Sequence, residues 1–233
     1  NLAQAEVEGS ALPDWEPEPI PEVDGFDSEK IGLQYFAPRI SYDNFCDLKS
    51  RPGWLRMRGQ EALASQNRVS LLARILTSVN AEVSTELDFH PERYQHAAGL
   101  VFYYDNMNYL FLHKTFSEAL NSPVISLLHV RNGKKLEYPE AVRKAGEGPA
   151  RMKFIIQGPE IKAACSLNGE TWEELGPCFD TSEFSDEFSE YGEFTGSFVG
   201  IACTDSLLHS KTADFDYFAY RETADDLPLT GQQ

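Results

Sequence analysis

The chain has 233 residues, 42% hydrophobic and 24% charged, enough for one domain with a substantial core or at most two small ones. Twenty Lys and Arg against 37 Asp and Glu leave a formal net charge of −17, which argues against nucleic acid as a partner because phosphates need a basic surface. Anionic lipid is repelled too, and apolar runs such as Val69 to Leu76 fall far short of the roughly 20 residues that span a bilayer. No membrane role is expected.

The first residues, from Asn1 through Glu6, Glu8, Asp14 and Glu16, lack the basic then apolar pattern of a secretory signal, and the start reads as a processed end or an excised piece. From Asn1 to Lys30 there are nine acidic residues, one basic residue and four prolines. That composition suits neither helix nor sheet interior and reads as an extended linker or an unstructured terminus. The boundaries expected are an acidic Pro-rich linker over 1–25, one ordered domain over 26–221 and an acidic tail over 222–233.

Beyond the linker the pattern changes to short runs of period two. Residues 61–76 have helical leanings, but the Val69 to Leu76 part, apolar on both faces except at Ser70 and Arg74, reads as a buried strand. Ala81, Val83, Thr85, Leu87 and Phe89 alternate with Glu82, Ser84, Glu86 and Asp88, the mark of a strand with one face in a core and the other in water. Further strands are expected at Ala98 to Tyr104, Tyr109 to His113, Val124 to Val130, Met152 to Ile156, Lys162 to Leu167, Phe198 to Cys203 and Asp214 to Tyr220. Asn132-Gly133, Gly158-Pro159 and Asn168-Gly169 supply turns between them. Many short strands with no repeating helix predict an all-β fold, antiparallel sheets packed as a sandwich or jelly roll.

Candidate chemistry is sparse. Five histidines are present, but there is no GxSxG elbow, HExxH motif or phosphate-cradling glycine loop. Cys46, Cys165, Cys178 and Cys203 are too far apart for a CxxC zinc half-site and read as four structural thiols, with one disulfide as the alternative. No cofactor or metal is expected. Asp214 and Asp216 fall on the same face of a predicted strand, where they either bind Ca²⁺ or, more in keeping with their surroundings, accept hydrogen bonds beside the core. The acidic stretch Asp180, Glu183, Asp186, Glu187, Glu190 and Glu193 is punctuated by Phe179, Phe184, Phe188, Tyr191 and Phe194 in a predicted loop. It reads as a solvated acidic loop or as a sugar-facing one, since carboxylates accept from hydroxyls while aromatic rings cover pyranose C–H faces. Of the many strand aromatics, most belong to a core and a minority could line a concave binding face.

Five blocks carry a resemblance. Arg51-Pro-Gly-Trp-Leu-Arg-Met-Arg-Gly59, Tyr94-Gln-His-Ala-Ala-Gly-Leu-Val101, Tyr103-Tyr-Asp-Asn-Met-Asn-Tyr109, Phe194-Thr-Gly-Ser-Phe-Val-Gly200 and Ala213-Asp-Phe-Asp-Tyr-Phe218 occur in that order. Together they resemble the C-terminal domain of glycoside hydrolase family 43 β-xylosidases, over about residues 26–221. The resemblance implies a concanavalin-A-like β-sandwich that follows a five-bladed catalytic propeller, and no propeller lies within these 233 residues. It therefore implies no catalytic acid or base here. In the family the sandwich lends a phenylalanine to the active-site wall, and the matching residue is Phe194; some such domains are classed as xylan-binding modules, carbohydrate-binding module family 91. The sequence departs from the commoner pattern at His96, where a second Gln usually follows Gln95, and in the acidic insert from Ser182 to Glu193.

The expected function is non-catalytic recognition of xylan or xylo-oligosaccharide, the alternative being an accessory domain that completes a propeller's pocket or interface. An extracellular location is favoured over a cytoplasmic one. Phe194 leads the candidate site, because Gly196 permits a turn that could present the ring outward. Glu193 and Asp205 are its polar candidates, Asp205 being placed at the same end of the sandwich as Phe194, and Gln95 and His96 join them through the resemblance.

Overall fold

The computed structural model describes residues 19–191 and 195–223. Fifteen strands, numbered along the chain, form two antiparallel sheets. The first sheet runs in the order β13 (Glu173–Asp180), β12 (Glu160–Ser166), β11 (Ala150–Gln157), β5 (Asn80–Asp88), β15 (Thr212–Glu222), β3 (Leu55–Arg58), β2 (Cys46–Asp47), with β1 (Val23–Asp24) against β15. The second runs β10 (Arg143–Lys144), β8 (Ser122–Arg131), β7 (Asn108–Ser117), β6 (His96–Asp105), β14 (Phe198–Asp205), β4 (Ser70–Ile75), with β9 (Lys134–Glu137) against β8. This is the expected concanavalin-A-like sandwich.

Alternation builds the core. Val83 and Leu87 of β5, Phe154 and Ile156 of β11 and Phe215 and Phe218 of β15 face Leu100, Phe102, Leu112 and Ile201 of the second sheet across one continuous cluster. The opposite face of β5 meets water through ion pairs: Glu82 with Lys153 at 3.0 Å and Glu86 with Arg151 at 2.6 Å. Such half-exposed pairs are worth about 0–1 kcal/mol each, so the buried face sets the strand's register.

The second sheet is apolar on both faces. Its outer face carries a second cluster with Leu71, Ala73, Val101, Tyr103, Tyr109 and Phe111, which is why Val69 to Leu76 lacks alternation. Gly99 and Gly200 lie on that face where a Cβ would collide with the backbones of β7 and β4 respectively, so these two positions allow the strands to approach closely.

The chain joins the sandwich slightly before Phe26, since Val23 pairs with Ala219 and Asp24 with Phe218. β13 falls where no strand is expected, an edge strand whose interior contribution is chiefly Leu175 and Phe179. The four cysteines are free thiols.

Candidate functional site

The motif blocks first account for each other. Asp214, nearly buried, accepts from Arg56 Nε and Nη2 at 2.7 Å each and from Arg51 Nη1 at 2.9 Å, while Arg51 also reaches Asp88 at 2.8 Å and lies 3.7 Å over the Trp54 ring. Burial alone would raise the Asp214 carboxyl, but the two guanidiniums hold it below the ordinary range. Asp214 is thus the satisfied carboxylate of the two readings. Asp216 falls at a register shift between Phe215 and Tyr217, a bulge that places one extra residue between the inward-facing Phe215 and Phe218. Among the described residues no group of three or more His, Cys, Asp or Glu is placed to hold a metal.

Two ends of the sandwich hold the predicted site residues. At the end where β14 begins, the acidic stretch folds back onto the second sheet. Its first turn, Thr181–Phe184, is capped by Asp180, which accepts from Ser182 N at 2.8 Å. Phe184 is buried against Phe102, with ring centroids 5.0 Å apart, and against His129 at 5.7 Å. Glu183 lies 3.1 Å from His129 Nε2 and 3.2 Å from Arg131. Burial raises the Glu183 carboxyl against the pull of Arg131, and burial pushes the His129 imidazole down to about 4. Asp186 accepts from the Tyr104 hydroxyl, and Ser189 Oγ donates to Asp105 at 2.6 Å. The stretch is therefore not simply a solvated loop: Phe179 and Phe184 are core, while Glu187, Glu190 and Tyr191 face solvent. Glu193 and Phe194 lie outside the described residues. Gly196, just beyond them, takes φ +73°, a backbone that favours glycine, with open space where a Cβ would be added.

At the other end lie Asp205, His96 and Gln95. Asp205 pairs with His96 across β14 and β6, whereas Phe198 pairs with Tyr103, so the seven steps between Phe198 and Asp205 separate the two ends by about 23 Å. This corrects the expected proximity of Asp205 to the turn before β14: the loops before and after one strand sit at opposite ends of it. Asp205 is also fully buried and accepts from the backbone N–H groups of Leu207, Leu208, Ser210 and Lys211 at 2.9–3.2 Å. Burial would raise its carboxyl, and the four donors together hold it well below the usual range. In this structure Asp205 organises a turn and presents no free oxygen to a ligand. His96 is buried beside it, Nε2 3.7 Å from Asp205 Oδ1, with Nδ1 accepting from Glu92 N at 3.3 Å. Burial pulls its imidazole below the ordinary value despite Asp205. Gln95 alone of these three is half-exposed, and it lies on the rim of a groove of about 530 Å³ along the outer face of the second sheet.

A family model described as the beta xylosidase C-terminal concanavalin A-like domain matches residues 23–221. The chain belongs to this family. It is similar to a beta-xylosidase of Bacillus subtilis (strain 168), 30% identical over 209 residues, covering 87% of this chain and 38% of the relative. It is likewise similar to xylosidase/arabinosidase 43B of Humicola insolens, 34% identical over 176 residues, covering 72% and 33%. Among solved structures, xylan beta-1,4-xylosidase from Bacillus halodurans C-125 superposes with a TM-score of 0.82 at 35% identity, covering 91% of this chain and 41% of that one. The chain thus spans about two fifths or less of these proteins and corresponds to their C-terminal xylosidase domain. Within that domain the groove residues Tyr94 and His113 escaped the sequence reading. Tyr94 sits in a turn, where no alternation marks exposure, and His113 alternates like any core residue.

Proposed function

We propose that the chain is a non-catalytic carbohydrate-binding module that recognises xylan or xylo-oligosaccharide and belongs to, or derives from, a family 43 β-xylosidase. Membership of the β-xylosidase C-terminal family carries this reading: a match over residues 23–221 covers essentially the whole sandwich, and the relatives are xylosidases. Phe194 and Glu193 are its leading contacts, an aromatic face for the sugar ring with a carboxylate for its hydroxyls. Exposed Tyr191 and the left-handed Gly196 border them in sequence. Gln95 is a separate contact at the far end; Asp205 and His96 act behind it as its support.

A second reading has its own observation. Phe36 is 50% exposed and packs edge-on to Phe198, 6.2 Å between centroids, beside the 42%-exposed Ile75 that pairs with Phe198. This apolar patch adjoins Thr195–Ser197 and suits a covering catalytic domain, in which case the module completes a propeller's pocket and has no sugar affinity of its own. Calorimetric titration of the chain with xylan separates the two: heat of binding supports the first reading, and its absence at millimolar sugar leaves the second. Release of xylose from xylobiose by the purified chain would overturn both.

A further inference from the structure

The groove runs along the outer face of the second sheet from the end that holds Gln95, where Thr204 and Ser206, the neighbours of Asp205, line it. Its floor is Tyr109, Phe111 and His113, successive outward residues of β7, with the Phe111 and His113 rings stacked 4.6 Å apart. Ala62 to Ala64 wall one side, and Lys135 and Glu137 of β9 the other. At about 530 Å³ it falls within the ~300–1,000 Å³ of ordinary ligand clefts, and it is open rather than enclosed.

Three features define the ligand it fits. Tyr94 stands at the rim with 64% of its surface exposed, an aromatic side chain open to solvent. Gln95, next to it, holds Oε1 out of water with no hydrogen-bond partner, and a buried acceptor left unpaired is costly. A hydroxyl donor in the groove would supply the missing partner. The polar lining is otherwise the hydroxyl side chains of Thr115, Ser117, Ser126, Thr204 and Ser206 and the opposed charges Lys135 and Glu137, so no net charge selects an anion or a cation. Burial pushes the His113 imidazole down to about 4, so at neutral pH it too is uncharged, with Nδ1 against Phe111 O at 3.0 Å. An aliphatic ligand would leave Gln95 unpaired, and a charged one would meet charges of both signs with no net attraction. An exposed ring, an unpaired amide oxygen and hydroxyls along an open trough match a neutral sugar chain, which alternates apolar C–H faces with hydroxyl edges.

We infer that this groove is a second carbohydrate site, independent of Phe194, that holds an internal stretch of a neutral polysaccharide with Tyr94 as stacking platform and Gln95 as hydrogen-bond acceptor. The inference rests on the sugar-binding reading for its polymer, xylan, but not for its location. The test is calorimetry on the 233-residue chain with xylohexaose and cellohexaose, using wild type, Tyr94→Ala, Gln95→Ala and Phe194→Ala. The expected result is that Tyr94→Ala and Gln95→Ala each weaken hexaose binding about five- to tenfold, with melting temperatures unchanged because both side chains are at least partly exposed. Phe194→Ala retains the Tyr94-dependent event within about twofold. Binding of cellohexaose but not xylohexaose, with the same Tyr94 dependence, keeps the groove and rejects xylan. Xylohexaose binding that both groove variants leave unaltered keeps the sugar-binding reading and overturns the groove. Binding of neither hexaose overturns both.

Discussion

Replacing Asp205 separates a turn organiser from a sugar contact. Its carboxylate is fully buried and takes four backbone N–H donors at 2.9–3.2 Å, from Leu207, Leu208, Ser210 and Lys211. A hydrogen bond to a charged group contributes about 1.5–3 kcal/mol, but Leu207, Leu208 and Ser210 are exposed, so their freed N–H groups regain water in the variant. Counting only the half-buried Lys211, Asp205→Ala should cost about 2 kcal/mol, or about 4–8 °C in melting temperature for a domain of this size. Asp205→Asn keeps one acceptor oxygen and should cost roughly half as much. The assay is urea unfolding followed by tryptophan fluorescence. Because the folded carboxyl titrates below its unfolded value, its contribution is fully present above about pH 4 and is lost as the pH falls further. The wild-type and Asp205→Ala stabilities should therefore converge in acid. A variant that melts like wild type yet loses xylan binding would refute the assignment and return Asp205 to the ligand.

Three further outcomes follow from the geometry. Asp214→Ala strands Arg56 and Arg51 and should cost about 2–3 kcal/mol, below the figure for a fully buried pair because both arginines are about a third exposed; a loss under about 0.5 kcal/mol in urea unfolding would contradict that network. The imidazoles of His113 and His129, both pushed down to about 4 by burial, should show no titration by NMR from pH 7.5 to 5. As the unfolded chain takes up these protons from about pH 6.5 downward and the folded chain does not, stability should fall by up to about 1.4 kcal/mol per pH unit per histidine, and a midpoint above 6 for either would be inconsistent with its burial. Gly200→Val drives a side chain into the backbone of β4 and should cost about 3 kcal/mol, whereas Gly196→Ala, in open space at φ +73°, should cost only about 1 kcal/mol; equal melting points for the two would be at odds with close strand approach at Gly200.

How far such features can be read in advance depends on whether they are local. The alternation of Ala81 to Phe89 is a property of nine consecutive residues, and β5 follows it directly. β13 was not legible because it is an edge strand reading Glu-Glu-Leu-Gly-Pro, with few residues committed to the core. Phe184 was misread with its acidic neighbours, because only tertiary packing against Phe102 and His129 makes it core. Asp205 shows the same limit in three dimensions. Nearness in sequence to Phe194 suggested one site, while eight residues of extended strand carry Asp205 to the opposite end. Arg51 and Arg56 find Asp214 across roughly 160 residues of chain, a pairing that no local pattern encodes. The family blocks were legible as blocks, yet much of what they do is structural: they close an ion-pair network, supply glycines at strand contacts and frame the turn at Asp205.

Affinity electrophoresis of the 233-residue chain through gels containing soluble xylan tests the central claim most directly. Retardation that grows with xylan concentration and is relieved by added xylohexaose is the predicted result. Mobility identical to that in a xylan-free gel would contradict sugar recognition by this domain and leave it the role of a propeller's structural partner.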